Sequence, residues 1–187
     1  MKRDAWEGGH RVPFIARWPG KIPKGLVSEQ MTNITDVFAT VASVVGYQLN
    51  EEDATDSFDM LPAMLGMQKD GEPIRPHLLT QSFRGEFQIR QGNWKYLDHR
   101  GSGGNQYEKG FMKKYALPET AGDAPGQLYN LSEDPGETTN LYYANEEKRK
   151  ELQELLKHLK LSGRSAPKNR QPIGIEKLKG LGGQTKK

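Results

Sequence analysis

Hydrophobic and polar positions alternate between two textures along the chain. Val12-Pro13-Phe14-Ile15-Ala16-Arg17-Trp18 is a short apolar run closed by the turn dipeptide Pro19-Gly20. Its length and bulky residues predict a buried strand, with Pro13 at its start because proline cannot donate to a ladder. Val37, Phe38, Val41, Val44 and Val45 then recur at helical spacing, after the capping residues Thr35 and Asp36 and before the stop residue Gly46. This helix is apolar on most sides, which predicts burial. Met60 to Gly66 reads as one short helix with Pro62 in its first turn. The polar stretch 68–76, with two prolines and a glycine, marks a boundary between two pieces.

After it the period shortens. His77 to Ser82 predicts a strand. Glu86-Phe87-Gln88-Ile89-Arg90 and Trp94-Lys95-Tyr96-Leu97-Asp98 alternate, as half-buried strands do, and Gln91-Gly92-Asn93 joins them as a hairpin. Gln127 to Leu131 predicts a further strand, followed by the turn Ser132 to Glu137. Asn145 caps a helix over 146–161, whose Leu152, Leu155, Leu156 and Leu159 form one stripe to lie on the sheet. The fold class is therefore α+β. Residues 1–10 read as a loop. The long segment from Gly101 to Gly126 reads as a loop that could rim a substrate site.

Composition removes several functions. In 187 residues there is no cysteine, which excludes a disulfide framework, a thiolate metal site and a cysteine nucleophile. No apolar run is long enough to span a membrane, and Met1 to Trp6 lacks the apolar stretch of a signal peptide. The net charge of +3 is uneven: the residues from Arg164 onward carry +6 and the rest −3. The basic tail reads as a solvated extension, and nucleic acid is not expected as a partner. His77, His99 and His158 stand apart, without metal-ligand spacing. Trp18 and Trp94 read as packing residues. Gly101-Ser102-Gly103-Gly104 lacks the ending and helix of a phosphate-binding loop.

Five segments in order resemble one family. Lys2-Arg3-Asp4-Ala5-Trp6-Glu7-Gly8-Gly9-His10-Arg11-Val12-Pro13 resembles the Lys-x-x-x-(Trp/Tyr)-Glu-Gly-Gly-x-Arg-x-Pro segment of formylglycine-dependent sulfatases, which are arylsulfatase-like members of the alkaline-phosphatase superfamily. Thr35 to Thr40, Asp56 to Pro62, Ile89 to Lys95 and Leu128 to Leu141 are similar to the segments that follow it there. The resemblance runs from residue 2 to about 164. It implies the tail end of the sulfatase α/β domain over 1–72, the small C-terminal domain over 73–164, with an antiparallel sheet packed by a C-terminal helix, and a basic tail over 165–187. The nucleophile motif Cys/Ser-x-Pro-x-Arg and the family's calcium ligands are not in this sequence.

The resemblance implies a role for Lys2, and the position of His10 just after the two glycines suggests one for it. Lys2 stands where the family's lysine contacts the sulfate, so it is the candidate catalytic and substrate-binding residue; a compact ammonium on a long stem suits a sulfate oxygen. His10 is a candidate substrate contact, being suited to proton exchange near neutral pH. Glu7 and Arg11 are expected to hold the loop, and Gly8-Gly9 to allow a tight turn or a close approach. The implied whole enzyme hydrolyses sulfate esters, possibly of sulfated glycans, with calcium as cofactor and in the periplasm or outside the cell. This chain alone is expected to be inactive. The competing readings are a phosphonate or phosphodiester hydrolase of the same superfamily, and a non-catalytic glycan- or nucleic-acid-binding module.

Overall fold

The computed structural model describes residues 1–69 and 71–174. The elements run α1 (Glu7–His10), α2 (Asp36–Val45), α3 (Leu61–Met64), β1 (Leu78–Gln81), β2 (Phe87–Gln91), β3 (Trp94–Leu97), a 3-10 turn (Gly110–Tyr115), β4 (Gln127–Asn130) and α4 (Glu146–Ser162). They form two compact units. One joins Met1–Pro13 to His77–Leu161; the other joins Phe14–Pro76 to the described residues from Ser162 onward. A cut near residue 72 therefore differs from the compact units, because the first thirteen residues belong with the sheet.

In the sheet unit, β1 to β4 form an antiparallel sheet in sequence order. The hairpin register pairs Ile89 with Tyr96 and Gln91 with Trp94, as the alternation and Gly92 (φ +57°) require. Tyr96 in turn pairs with Leu128. Strand side chains alternate between faces, so Ile89, Tyr96 and Leu128 line one face. That face packs on Leu152, Leu156 and Leu159 of α4 in one apolar cluster, with Leu155 packed against it. The small antiparallel sheet under a C-terminal helix is thus the α+β arrangement that the pattern predicts.

The opposite face is the less expected one. Its rows Arg90–Lys95–Tyr129 and Gln88–Leu97–Gln127 are largely polar. The first eleven residues fold over them. Ala5 packs with Leu97 and Tyr129, and Trp6 joins that cluster. Every residue of β4 is consequently buried. Residues 7–10, expected as loop, form one helical turn closed by the Arg11 N–H on the Glu7 carbonyl at 2.9 Å.

The second unit is built on α2. Thr35 stands at its N-cap, and Asp36, its first residue, is buried with its carboxylate fully engaged. It accepts from the Phe58 N–H at 2.9 Å, the Asn33 N–H at 2.7 Å and the Arg75 guanidinium at 2.5 Å and 3.1 Å. Arg75 also lies over the Phe58 ring, at 4.3 Å from its centroid. Gly46 ends the helix in the left-handed conformation, as expected (φ +75°).

Two expectations fail, one in α2 and one in the run that leads into this unit. The run from Val12 to Trp18 is not a strand: Val12, Phe14 and Ile15 are 76%, 58% and 90% exposed. No described strand lies beside it to take its ladder bonds, and an extended segment without a partner stays with water. Nor is α2 buried on most sides. Its small and polar residues Asp36, Ala39, Thr40, Ala42 and Ser43 face inward, whereas Val37, Phe38, Val41 and Val45 are exposed. The apolar spacing does form a helix, but among the described residues nothing covers its larger side chains.

Residues 165–174, at the start of the basic tail, lie against this unit rather than forming a solvated extension. Ser165 and Ala166 N–H groups bond the Thr55 carbonyl at 3.2 Å and 2.9 Å, and the Ile173 N–H reaches Ser43 Oγ at 2.9 Å. The rest of the tail, 175–187, lies outside the described residues.

Candidate functional site

The candidate site is the turn from Lys2 to His10, laid on the polar face of the sheet. Backbone bonds fasten it along its length. The Ala5 N–H donates to the Ser102 carbonyl at 2.7 Å, and the Phe83 N–H to the Arg3 carbonyl at 3.0 Å. Asn105 Nδ2 donates to the Lys2 carbonyl at 2.9 Å and to Asp4 Oδ1 at 2.8 Å. The segment 101–105 is therefore a clasp that grips this turn, not a free rim.

Two glycines answer to close approach. A Cβ on Gly9 would collide with the backbone of Asp4, and one on Gly104 with the backbone of Arg3. Arg3 itself sits at φ +88°, a conformation that non-glycine residues adopt at a cost of about 1–3 kcal/mol. Its guanidinium lies over the Phe83 ring, 3.8 Å from the centroid, which anchors the strained backbone.

Beneath the turn is a buried charge network. Lys95, 1% exposed, places its ammonium 3.0 Å from Glu7 Oε1 and 2.8 Å from Glu137 Oε1. Glu137 Oε2 also accepts the Glu7 N–H at 2.6 Å. Arg90 adds a contact at 3.3 Å to Glu7 Oε2. Burial alone would push the Glu7 carboxyl up, but the His10 ring and the Lys95 ammonium outweigh it and bring it down to about 2. Glu137 goes the other way: burial raises it in spite of Lys95. Glu137 is held at φ +55° by its own turn, where Asp134 accepts the Thr138 and Thr139 N–H groups at 2.7 Å and 2.8 Å.

Asp4 is the second buried carboxylate of the turn. Burial pushes it up, but bonds from the Met1 ammonium, the Tyr107 hydroxyl and the Asn105 N–H pull it below the usual range. It thus stays ionised and ties the clasp to the turn.

The two sequence candidates occupy opposite ends of this fastened turn. Lys2 is exposed, with its backbone held by Asn105 and its side chain open to a ligand. His10 is half-buried over the sheet, with Nε2 3.4 Å from Glu7 Oε1 and Nδ1 3.4 Å from Gln88 Nε2. Glu7 holds the loop by charge as expected, whereas Arg11 does so through its backbone N–H. Lys95, Glu137, Asn105 and Asp4 escaped the sequence reading. The one available signal was a lysine inside an otherwise apolar strand, Trp94-Lys95-Tyr96-Leu97.

Among the described residues no three His, Asp or Glu side chains gather as metal ligands. The carboxylates of this site are engaged by ammonium, guanidinium and N–H donors, which is the wrong surrounding for calcium.

The site coincides with a likeness to known proteins. A family model described as Sulfatase matches residues 1–47. An N-acetylgalactosamine-6-O-sulfatase of Bacteroides thetaiotaomicron is 33% identical over 85% of this chain and 29% of its own length. An N-acetylgalactosamine-6-sulfatase of Canis lupus familiaris is 32% identical over 78% of this chain and 29% of its own. A solved structure from work on glycosaminoglycan metabolism by Bacteroides thetaiotaomicron superposes with a TM-score of 0.69 at 31% identity, covering 86% of this chain and 31% of that one. In sequence and fold the chain is similar to the C-terminal portion of these sulfatases. It spans 29% of the length of each of those two relatives. No described helix is long and apolar enough to cross a membrane.

Proposed function

We infer that this chain forms the substrate-facing C-terminal part of a sulfatase acting on sulfated glycans, exported to the periplasm or the outside. In this reading Lys2 offers its ammonium to the sulfate oxygens, where negative charge builds as the ester is cleaved. His10 contacts the substrate from the other end of the turn. The nucleophile, which the family makes as formylglycine, and the calcium that polarises the sulfate belong to segments whose motifs this sequence lacks. Alone, the 187-residue chain does not turn over.

The observation that supports this reading is the contrast at the turn: an exposed lysine side chain on a backbone fixed by Asn105, Ser102 and Phe83. Such fixing spends the ordering cost before substrate arrives. The likenesses do not favour the phosphonate or phosphodiester alternative. The exposed apolar face of α2 further supports a role within a larger assembly, because scattered apolar residues are ordinary but a helix stripe of Val37, Phe38, Val41 and Val45 is not.

The test joins this chain to a sulfatase segment carrying the Cys/Ser-x-Pro-x-Arg motif and follows sulfate release from N-acetylgalactosamine 6-sulfate. Lys2→Ala should lower kcat/KM by about 100-fold to 1,000-fold, the cost of losing one donor to a developing anion. Unchanged kinetics in the variant would remove Lys2 from the site.

A further inference from the structure

Beside the turn, the sheet unit contains a cleft of ≈ 400 Å³. That volume falls within the range of small-ligand sites. Its lining includes three aromatic residues, Trp6, Tyr107 and Tyr129. The Trp6 and Tyr107 rings are tilted by 49° with centroids 5.6 Å apart. Trp6 and Tyr129 are locked in place. Gln127 Oε1 accepts both the Trp6 indole N–H at 2.9 Å and the Tyr129 hydroxyl at 2.7 Å. The Gln127 amide donates in turn to the His99 and Gly101 carbonyls at 3.0 Å and 2.8 Å. The lining also includes exposed Glu108, Lys113, Leu117 and Glu119 from the segment 108–120.

The geometry points to this cleft as a binding subsite for an uncharged sugar ring, the part of a glycan next to its sulfated residue. The ligand class rests on the sulfatase reading; the cleft itself rests on its walls. A pyranose presents an apolar C–H face and a rim of hydroxyls. The fixed indole and phenol rings match the face, and carboxylates of the lining accept from hydroxyls. Charge favours a neutral part of the glycan: the lining carries Glu108, Glu119 and Glu137 against Lys113, which disfavours a sulfate group, while the cationic Lys2 lies on the same turn as Trp6. Asn105 lines the cleft and also holds the Lys2 carbonyl, so the two places share a support.

The ¹⁵N-labelled 187-residue chain, titrated with methyl N-acetyl-β-galactosaminide, tests this directly. The expected result is millimolar binding, with shifts at the Trp6 indole and the Asn105 amide while the Trp18 and Trp94 indoles stay in place. Leu117→Arg, at a half-exposed position, should fill the cleft and raise Kd at least about tenfold with the rest of the spectrum unchanged. N-acetylgalactosamine 6-sulfate should bind the cleft no more tightly than the neutral sugar. Absent shifts at Trp6 and Asn105, or shifts indifferent to Leu117→Arg, overturn the subsite even if the joined enzyme releases sulfate. Binding that Leu117→Arg abolishes upholds it even if the joined enzyme releases none, and then only the sulfatase reading falls.

Discussion

Lys95 Nζ lies 3.0 Å from Glu7 Oε1, joining the middle of strand β3 to the turn that carries Lys2 and His10. The strand presents the lysine on the sheet's polar face, and the turn covers it. A buried ammonium between two carboxylates does not guarantee net stability, because desolvation is costly. It does make the arrangement intolerant of losing one partner, since the others would be left buried and unpaired.

Lys95→Met should therefore destabilise the sheet unit by about 3–5 kcal/mol. Urea unfolding followed by circular dichroism checks this. The Trp6 environment should loosen first, seen as a shift in its fluorescence against a Trp6→Phe reference.

Acid should act through Glu7. Its folded carboxyl titrates at about 2, below the ordinary 4.5. A depressed carboxylate stabilises the fold above its unfolded value, and that stabilisation is lost as pH falls from about 4.5 toward about 2. Glu137 is raised and so works in the opposite sense. Glu7→Gln removes the Glu7 contribution and, because the Glu7 charge helps to raise Glu137, lowers Glu137 as well, so the opposing contribution weakens too. The wild-type urea midpoint should fall more steeply than the variant's between pH 5 and about 2; equal slopes would count against a depressed Glu7.

Gly9→Ala should disrupt the turn, because the added methyl group meets the Asp4 backbone, which flexible side chains cannot relieve. We expect a loss of about 1–3 kcal/mol, in the range of overpacked sites. Gly122→Ala, where a Cβ would meet nothing within 4 Å, is the control and should leave the midpoint nearly unchanged.

In the other unit, Asp36 and Arg75 are each about 2% exposed and meet in two contacts. Arg75→Met should cost about 3–5 kcal/mol by stranding a buried carboxylate. Asp36→Asn, which keeps an acceptor for the Phe58 N–H, should cost less. The comparison is read from thermal unfolding of the two variants.

Much of the architecture was determined by local pattern. The alternation in Phe87–Gln91 and Trp94–Leu97 with Gly92 between them set the hairpin, and the leucine stripe set α4, because side-chain period and turn chemistry are properties of neighbouring residues. Gly46 ended α2 for the same reason. The family likeness was carried by five segments in order, beginning with Lys2 to Pro13. What local pattern could not say was which surface a segment meets. Val12 to Trp18 had a strand's composition but no described neighbour to pair with, and a strand exists only as a pair. Gln88, Lys95 and Gln127 alternated as though they would face water; the N-terminal turn covers them, so a solvated face became the support of the site. Glu7, Lys95 and Glu137 are separated by scores of residues, and no spacing rule joins charges that only chain folding brings within 3 Å.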